Sequence, residues 1–314
     1  MSPAQSHDGP HGLLIVDKPE GPTSHDIVQS ARRALGTRRV GHAGTLDPMA
    51  TGVLVLLLGE ATKLSDLATA ADKTYNARVN FGRATESHDA CGATTRESPV
   101  RLSQLGEAAL QAALDAERRR TLQQPPAVSA IKVQGRRAYA LARAGEAPEL
   151  EPRTVHVHEL RELERDESSL SLELRVSKGY YVRALARDLG LALGVPAHLS
   201  QLRRLSSGGF TLAEACAWPP PSPPPLLALP QILPRLLPTL RLTDAGVRRA
   251  RAGQALTLED FDGAPPEVGG GSESLPAICA WVDGSGLPIA LGAREGATFR
   301  VRRGFTGDCG VTST

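Results

Sequence analysis

The chain has 314 residues, a length that suits one large domain followed by a small one. It is 41% hydrophobic and 22% charged with a mean hydropathy of -0.19, and its apolar runs are far shorter than the ~20 residues of a membrane helix. We therefore expect a soluble, cytoplasmic protein without a secretory signal, in which residues 1–11 form a disordered tail. The four cysteines have no metal-ligand spacing, which argues against a disulfide framework and a zinc site.

The charge pattern gives a further indication of the partner. Net charge is only +2, but arginines cluster at 31–39, 117–120, 135–143, 202–205, 247–253 and 299–303. Each cluster alone is most simply a solvated helix face, whereas six along one chain favour an anionic partner. Aromatic residues are only 4% of the chain, which disfavours a surface that stacks successive bases of single-stranded RNA. We expect a folded RNA held through its backbone.

The first two thirds of the chain mix strands and helices without a regular βαβ repeat. The predicted elements are a strand at 13–16, a helix opening near Thr23 or Ser24, a buried strand at 53–59, a strand at 73–82, a helix at 102–120, two strands at 154–177 and a helix at 180–194. This mixture predicts an α+β domain with a mixed or antiparallel sheet over residues 12–218.

The last third has a different composition. Residues 219–238 hold nine of the 24 prolines, so we expect a linker or insert at 219–239 with no continuous helix and no central strand. We further expect this stretch to be a permissive insert on the rim of the α+β domain. A short helix is predicted at 242–256, a loop at 262–276 and strands around a turn at 278–305. Residues 240–314 thus form a predicted small β-rich domain.

The most informative stretch is GHAGTLDPMATG, residues 41–52, which places Asp47 between a leucine and a proline. An aspartate before proline is a common helix N-cap, and turn chemistry alone explains it about as well as a functional site does. Glycine on both sides of Asp47, at positions 41, 44 and 52, lets a planar group approach the backbone. A pocket at Asp47 is the sharper of the two interpretations.

This stretch resembles the aspartate motif of the TruB-type bacterial tRNA pseudouridine synthases, which convert uridine 55 of the tRNA T-loop to pseudouridine. Further stretches at 13–26, 72–92, 123–143, 177–190 and 202–210 are similar to that family in order and spacing, so the resemblance spans residues 12–210. It implies a pseudouridine synthase catalytic domain at 12–218. The stretch VRRARAGQAL and the strands after it resemble a PUA domain, which implies a small RNA-binding β-barrel at 240–314. Val128 departs from the family, which usually has an aromatic residue there.

The resemblance implies that Asp47 is the catalytic nucleophile, that Arg183 is its cationic partner, and that Tyr75 stacks on the target base and assists proton removal at C5. By residue type alone, Arg183 would be an exposed helix arginine and Tyr75 a core tyrosine. The reaction breaks the N-glycosidic bond and joins uracil C5 to the same C1′, with positive charge developing at the sugar. One carboxylate suffices because no water is activated. Attack at C1′, addition to C6 and abstraction of the C2′ proton all stay open.

The resemblance also implies a set of substrate-binding residues. His42 is expected to fill the gap left by the target base, which must be flipped out of a stacked loop. Tyr181 matches a second pocket aromatic, although its neighbour Tyr180 competes for the inward position if the segment is extended. The predicted set is completed by Lys18, which supports the catalytic loop, and by Gly44, Thr45 and Leu46.

The expected partner is tRNA, bound through its T-arm, with no membrane, no obligate protein partner and a monomeric enzyme. No metal, nucleotide or redox cofactor is expected, because a C–N bond is exchanged for a C–C bond within one substrate and the chain has no Walker-type or G-x-G-x-x-G loop. Three alternatives remain. They are a non-catalytic tRNA-binding or folding protein in which Asp47 is only an N-cap, a guide-RNA-dependent synthase in a multi-protein complex, and a small-molecule nucleosidase, which the arginine clusters disfavour.

Overall fold

The computed structural model describes residues 9–128, 150–263 and 278–306, together with residues 132, 133, 136, 137 and 146. The strands of the first domain are β1 Gly12–Lys18, β2 Val40–His42, β3 Thr51–Leu58, β4 Lys73–Phe81, β5 Arg83–Thr85, β6 Thr94–Glu97, β7 Leu122–Gln123, β8 Lys132–Val133, β9 Arg136–Arg137, β10 Arg153–Thr154, β11 Val157–Arg165, β12 Ser169–Val176, β13 Ala197–Ser207, β14 Phe210–Thr211, β15 Cys216–Ala217 and β16 Leu226–Leu227. The helices are α1 Ser24–Ala34, α2 Ser65–Ala70, α3 Glu107–Arg118, α4 Val182–Leu193, α5 Leu229–Leu236 and α6 Asp244–Arg251. The last strands are β17 Thr239–Arg241, β18 Cys279–Val282, β19 Pro288–Glu295 and β20 Thr298–Gly304.

The central feature is a mixed sheet with the strand order β11-β12-β4-β13-β3-β1-β15. Strand β4 pairs antiparallel with both β12 and β13, whereas β13 runs parallel to β3 where Arg204 lies opposite Gly52. The prediction of an α+β domain with a mixed sheet is confirmed. None of the described helices is both long and apolar enough to cross a membrane.

Both faces of the sheet are covered, which explains the unbroken apolar run of β3. Alternate residues Leu54, Leu56 and Leu58 pack in one core with helices α1, α3 and α4. The residues between them, Val53 and Val55 among others, pack in a second core with α5 and with strands β18 and β19. A strand buried on both faces shows no polar alternation, so the predicted buried strand is confirmed.

Local signals placed two helix ends correctly. Helix α1 begins after the N-cap Thr23, whose hydroxyl oxygen accepts a hydrogen bond of 3.1 Å from the backbone N–H of Asp26, while the Asp26 carboxylate accepts from the Thr23 N–H. Helix α4 ends at Gly194, which has φ +68°. The helix predicted at 102–120 divides into a 3-10 turn at Leu102–Gln104 and helix α3.

The prediction that residues 219–238 contain no continuous helix is wrong. Helix α5 has Pro230 in its first turn, where a backbone N–H has no helical partner in any case, so only Pro234 removes a hydrogen bond. Its residues Leu229, Ile232 and Leu233 are 0% exposed, and Leu226–Leu227 pairs with β1. The second half of the proline-rich stretch therefore belongs to the core of the catalytic domain and is not a permissive rim insert.

The N-terminal tail was predicted at 1–11, and residues 1–8 lie outside the described part of the chain. His11, in contrast, has a defined place. Its Nδ1 accepts a hydrogen bond of 3.1 Å from the backbone N–H of Glu60, directly before β1 begins. The predicted boundary of the disordered tail is therefore wrong at residue 11, because His11 is bound to the turn that follows β3.

The C-terminal residues form a four-stranded sheet in the order β17-β18-β19-β20, packed against α6. Trp281 is fully buried at its centre, in edge contact with Phe261, which in turn contacts Phe299. The predicted helix and strands are confirmed, while most of the predicted 262–276 loop lies outside the described residues. No closed barrel forms among the strands that the structure describes at 239–306.

The C-terminal sheet is fixed to the catalytic domain by a buried carboxylate. Glu60, in the 3-10 turn Gly59–Leu64 after β3, accepts hydrogen bonds from Lys63, from the Arg39 guanidinium at 2.7 Å and from the Thr306 backbone N–H at 2.7 Å. Lys63 also donates to the carbonyl oxygen of Gly304 at 2.7 Å. One side chain thus joins three distant parts of the chain at the domain contact.

Candidate active site

A cavity of about 550 Å³ opens where the loop after β2 meets β4, β13 and the beginning of α4. This volume suits a small-molecule or single-nucleotide ligand. Most of the predicted site residues line it: Gly44, Thr45, Leu46, Asp47, Tyr75, Tyr181 and Arg183. The other two predicted residues, His42 and Lys18, are not among the lining residues.

Asp47 and Arg183 lie together in this cavity although 136 residues separate them in the sequence. The Nε of Arg183 lies 2.9 Å from Oδ2 of Asp47, and its Nη2 lies 3.3 Å from Oδ1. This is a two-point contact between a guanidinium and a carboxylate, which fixes the orientation of both groups. The Arg183 side chain is only 6% exposed, whereas that of Asp47 is 33% exposed and faces the cavity. Arg183 is therefore not the exposed helix arginine that its residue type alone suggests.

Arg183 is itself held by the segment after β5. Its Nη1 donates to the carbonyl oxygen of Ser87 at 3.0 Å, and its Nε lies 3.7 Å from the buried carboxylate of Asp89. Asp89 is in turn held by the Ser87 hydroxyl and the Cys91 backbone N–H. Arg183 thus has fixed neighbours on both sides, so its guanidinium is positioned before any substrate arrives.

The loop with Asp47 is not the start of a helix. Residues 48 and 49 form a turn that is closed by a 3.0 Å hydrogen bond from the Ala50 N–H to the Asp47 carbonyl oxygen. The chain then enters β3 at Thr51. The N-cap interpretation of Asp47 is therefore wrong, because no helical N–H groups follow for its side chain to cap.

Buried side chains from other elements hold this loop. The Ser24 hydroxyl accepts from the Leu46 N–H at 2.8 Å and donates to the Leu46 carbonyl oxygen at 3.1 Å. Lys18 is fully buried, and its Nζ donates to the carbonyl oxygens of Pro48 and Ala50 at 3.3 and 2.7 Å. Burial lowers the pKa of Lys18 to about 8, although the Asp47 carboxylate raises it. Lys18 thus contacts the loop backbone and is not among the residues that line the cavity.

Glycine is required at positions 44 and 52 for different structural reasons. Gly44 lines the cavity and has φ +95°, a conformation that favours glycine. Gly52 has φ +100°, and a Cβ there would overlap the backbone of Arg204 on the neighbouring strand. The Gly52 backbone is therefore close to another strand and not to a planar ligand.

The two adjacent tyrosines differ in burial, since Tyr180 is 9% exposed and Tyr181 is only partly buried. The Tyr180 hydroxyl donates a 2.7 Å hydrogen bond to the Glu117 carboxylate on α3. Burial raises the pKa of Tyr180 well above its ordinary value, and burial also raises the pKa of Glu117. Tyr181 is the N-cap residue of α4 and lines the cavity, as does the largely buried Tyr75 on β4. Tyr180 also borders the cavity, so the two neighbours do not exclude each other from it.

Sequence reasoning gave no role to Lys73 and Arg204, although both occur in the motifs DKTY and LRRL. Lys73 lines the cavity and donates to the carbonyl oxygens of Thr69 and Ala71, and burial lowers its pKa to about 8. The cationic side chains along the cavity are Lys73, Arg153, Lys178, Arg183 and Arg204. Among the lining residues, Asp47 supplies the one carboxylate, so the cavity suits an anionic substrate such as a nucleic acid.

A mixed sheet with a single carboxylate held by arginine in a basic cavity fits an enzyme that modifies a base of an RNA. Sequence comparison agrees. The N-terminal domain model of the TruB family of pseudouridylate synthases matches residues 32–182, and the tRNA pseudouridylate synthase B C-terminal domain model matches residues 183–218.

Curated relatives extend the match to the whole chain. The tRNA pseudouridine synthase B of Mycobacterium tuberculosis strain H37Rv is 42% identical over 301 residues, which are 94% of this chain and 95% of the relative. The protein of the same name from Solibacter usitatus is 50% identical over 204 residues, 65% of this chain and 69% of the relative. The chain belongs to the TruB family of pseudouridine synthases and is an isomerase, so the resemblance found in its sequence is confirmed.

Solved structures share the fold. A Cbf5-Nop10-Gar1 complex matches with a TM-score of 0.70 at 24% identity, covering 94% of this chain and 85% of the other. An H/ACA RNP bound to a substrate RNA containing 2′-deoxyuridine matches with a TM-score of 0.69 at 22% identity, covering 95% and 86%. At these identities the likeness establishes the pseudouridine synthase fold alone.

Proposed function

We propose that the protein is a stand-alone tRNA pseudouridine synthase that isomerises uridine 55 in the T-loop, with Asp47 as the nucleophile. The observation that carries this proposal is the two-point contact between Asp47 and Arg183 inside a basic cavity. A carboxylate in a partly dry cavity loses part of its hydration, and a neighbouring cation offsets that loss. Arg183 supplies that charge and also orients both carboxylate oxygens.

In the proposed reaction the target uridine leaves the stacked T-loop and enters the cavity, where Tyr75 stacks on the uracil ring. Asp47 acts at C1′, at C6 or on the C2′ proton, and the bond between N1 and C1′ breaks. The uracil turns and its C5 forms the new bond to the same C1′. Any bond between Asp47 and the substrate breaks as the C5–C1′ bond is completed. The C5 proton is then removed with assistance from Tyr75 while N1, which has lost its bond to C1′, gains a proton, so the product has the same atoms as the substrate and no cofactor takes part.

The roles of the other residues follow from their places. Tyr181, Gly44, Thr45 and Leu46 form walls around the nucleoside. His42 lies on β2, on the same chain segment as Asp47 but outside the cavity lining, which suits a residue that enters the T-loop when the base departs. Lys18 acts through the loop that it holds and does not contact the substrate.

The proposed domain organisation is a catalytic domain at 12–218, whose core also includes residues 226–233 of the segment 219–239, followed by a PUA-like RNA-binding domain at 240–314. Arginines on α6 and β20 support RNA binding by this last part: Arg248, Arg249, Arg251, Arg300, Arg302 and Arg303. Basic side chains of this kind bind phosphates irrespective of base sequence. The T-arm of a monomeric enzyme's tRNA would then contact both domains.

The guide-dependent alternative receives less support. The relatives named tRNA pseudouridine synthase B are 42–51% identical to this chain, whereas the Cbf5-containing complexes are 24% identical or less. The proposed enzyme therefore recognises tRNA directly and needs neither a guide RNA nor partner proteins.

The test is tritium release from a tRNA transcript labelled with [5-³H]uridine, without cofactor or guide RNA. The wild-type protein should release one tritium per tRNA, and the Asp47→Asn variant should release none while binding the same transcript with unchanged affinity. A transcript with cytidine at position 55 is the matched control and should release none. If neither protein releases tritium while both bind, the protein binds tRNA without modifying it; release of free uracil would instead identify a nucleosidase.

A further inference from the structure

Arg204 is a buried cation whose hydrogen bonds, within the described part of the chain, go to backbone carbonyl groups. It lies on β13 and is 1% exposed. Its Nε donates to the Val53 carbonyl oxygen at 2.5 Å, its Nη2 to that of Gly44 at 3.2 Å and its Nη1 to that of Thr45 at 3.5 Å. Among the residues that the structure describes, no carboxylate forms an ion pair with it.

Burying a charge without a counter-charge is costly, so an arginine kept in this state needs a compensating role. Its three carbonyl partners lie in the loop before Asp47 and at the start of β3. Loop carbonyl groups have no partners in a regular ladder and require side chains or water instead. The planar guanidinium can reach three carbonyl groups that diverge from one another, which a single ammonium group cannot do in the same geometry.

The contacts of Arg204 complete a pattern around Asp47. Lys18 binds the carbonyl oxygens of Pro48 and Ala50, which follow the aspartate, and Ser24 binds both backbone groups of Leu46. Arg204 binds the carbonyl oxygens of Gly44 and Thr45, which precede the aspartate. The loop is therefore held by one buried cation on each side of Asp47, and the Asp47 carboxylate faces Arg183 in the cavity.

We propose that Arg204 is a positioning residue of the isomerisation, which acts by fixing the Gly44–Thr45 segment and so places the Asp47 carboxylate against Arg183. This inference rests on the proposed function, since it assigns the placement of the nucleophile and not a further chemical step. The inference also explains why residue 52 is a glycine. A side chain there would overlap the backbone of Arg204, which must pack close to β3 for the Arg204 side chain to reach the loop.

The inference predicts a loss of rate and not of binding. A displacement of the nucleophile by about 1 Å costs up to ~100-fold in rate, so Arg204→Lys and Arg204→Ala should lower kcat by about 10- to 100-fold. The KM for tRNA should change less than about twofold, since Arg204 is 1% exposed and its hydrogen-bonding groups are engaged by backbone carbonyl oxygens. The neighbouring Arg203→Lys is the matched control. Its guanidinium is 41% exposed and pairs with Asp17 at 2.7 Å, outside the cavity lining, so its single-turnover rate should equal that of the wild type.

Chemical rescue separates positioning from general structural damage. Arg204 lines the cavity, so the space left in Arg204→Ala is accessible to a small solute. Guanidinium at a sub-denaturing concentration should restore part of the tritium release, whereas urea, which has nearly the same shape but no charge, should not. Single-turnover tritium release, filter binding of the tRNA and thermal unfolding would be measured for each variant.

A folded Arg204→Ala variant with wild-type kcat would overturn the inference, and so would a defect confined to KM or equal rescue by urea. If Arg204→Ala does not fold, the folded Arg204→Lys decides, since unchanged kcat in that variant contradicts the required three-way contact. Wild type and Asp47→Asn run in the same assay. Failure of the wild type to release tritium would refute the proposed function, whereas wild-type release with an unaffected Arg204→Lys would refute only the role of Arg204.

Discussion

Replacing Glu60 by glutamine would measure how strongly one buried carboxylate fixes the C-terminal sheet to the catalytic domain. Burial raises the pKa of Glu60, but hydrogen bonds from Lys63, Thr306 and Arg39 outweigh that effect and lower it from 4.5 to about 2. This difference corresponds to about 3 kcal/mol in favour of the charged form in the folded state. The Arg39 side chain is 45% exposed and therefore screened by solvent, so we expect about 1–2 kcal/mol of this to contribute to the free energy of unfolding.

The contribution of Glu60 should depend on pH with a defined sign. A carboxylate with a depressed pKa in the folded state stabilises that state at pH values above its unfolded-state pKa. The stabilisation is complete above pH ~5 and is lost as the pH falls towards about 2, where the folded state also becomes protonated. Glu60→Gln should accordingly be destabilised at pH 7 and approach the wild type as the pH is lowered through this window.

Urea unfolding of wild type and variant at several pH values is the appropriate assay. Exposed Glu97 on β6 provides the control, and Glu97→Gln should change the free energy of unfolding by less than about 0.5 kcal/mol. A destabilisation of Glu60→Gln that stays constant from pH 7 to pH 3 would refute the electrostatic account, because a purely steric defect does not titrate. No destabilisation at pH 7 would refute the role of Glu60 at the domain contact.

Three further substitutions test other parts of the argument. Arg183→Lys keeps the charge but loses the two-point contact with Asp47, so kcat in the tritium assay should fall by about 100-fold while the affinity for tRNA is retained. A wild-type kcat in this variant would contradict the proposed role of Arg183. Gly52→Ala should cost at least about 2 kcal/mol in urea unfolding, because φ is +100° and the Arg204 backbone occupies the space, whereas Gly284→Ala in open surroundings should be nearly neutral. Leu233→Ala should cost about 2–5 kcal/mol, against less than about 0.5 kcal/mol for the exposed Leu191→Ala, and equal effects would show that α5 is not part of the core.

The parts of the fold that follow from local chemistry were predictable. The cap at Thr23 and the glycine at Gly194 are signals within a few residues, and the apolar run of β3 reflects burial on both faces. Helix α5 was not predictable by the same rules, because proline counts do not distinguish a first-turn proline from an interior one. Its stability comes from Leu229, Ile232 and Leu233 in a core that the local sequence does not reveal.

The candidate site likewise contains a residue that its local sequence reveals and residues whose partners are distant in the chain. Asp47 stood out by its unusual loop, but its neighbour Arg183 is 136 residues away and was identified only through the resemblance to a family. Arg204 was in a recognised motif without a role, because its carbonyl partners lie 151 to 160 residues earlier. Side-chain contacts to backbone carbonyl groups leave no pattern of residue types in a single sequence.

The position of β1 in the sheet has a consequence for synthesis on the ribosome. One edge of β1 pairs with β3, and among the described residues its other edge pairs with 216–217 and 226–227. At ~5–20 residues per second, the roughly 200 residues between β1 and these partners take about 10–40 s to synthesise. An apolar strand edge therefore stays open for that time in the nascent chain, at risk of pairing with another chain. Residues 216–217, just before the proline-rich stretch, and residues 226–227 within it close that edge, so the first strand of the enzyme is completed by almost the last residues of its catalytic domain.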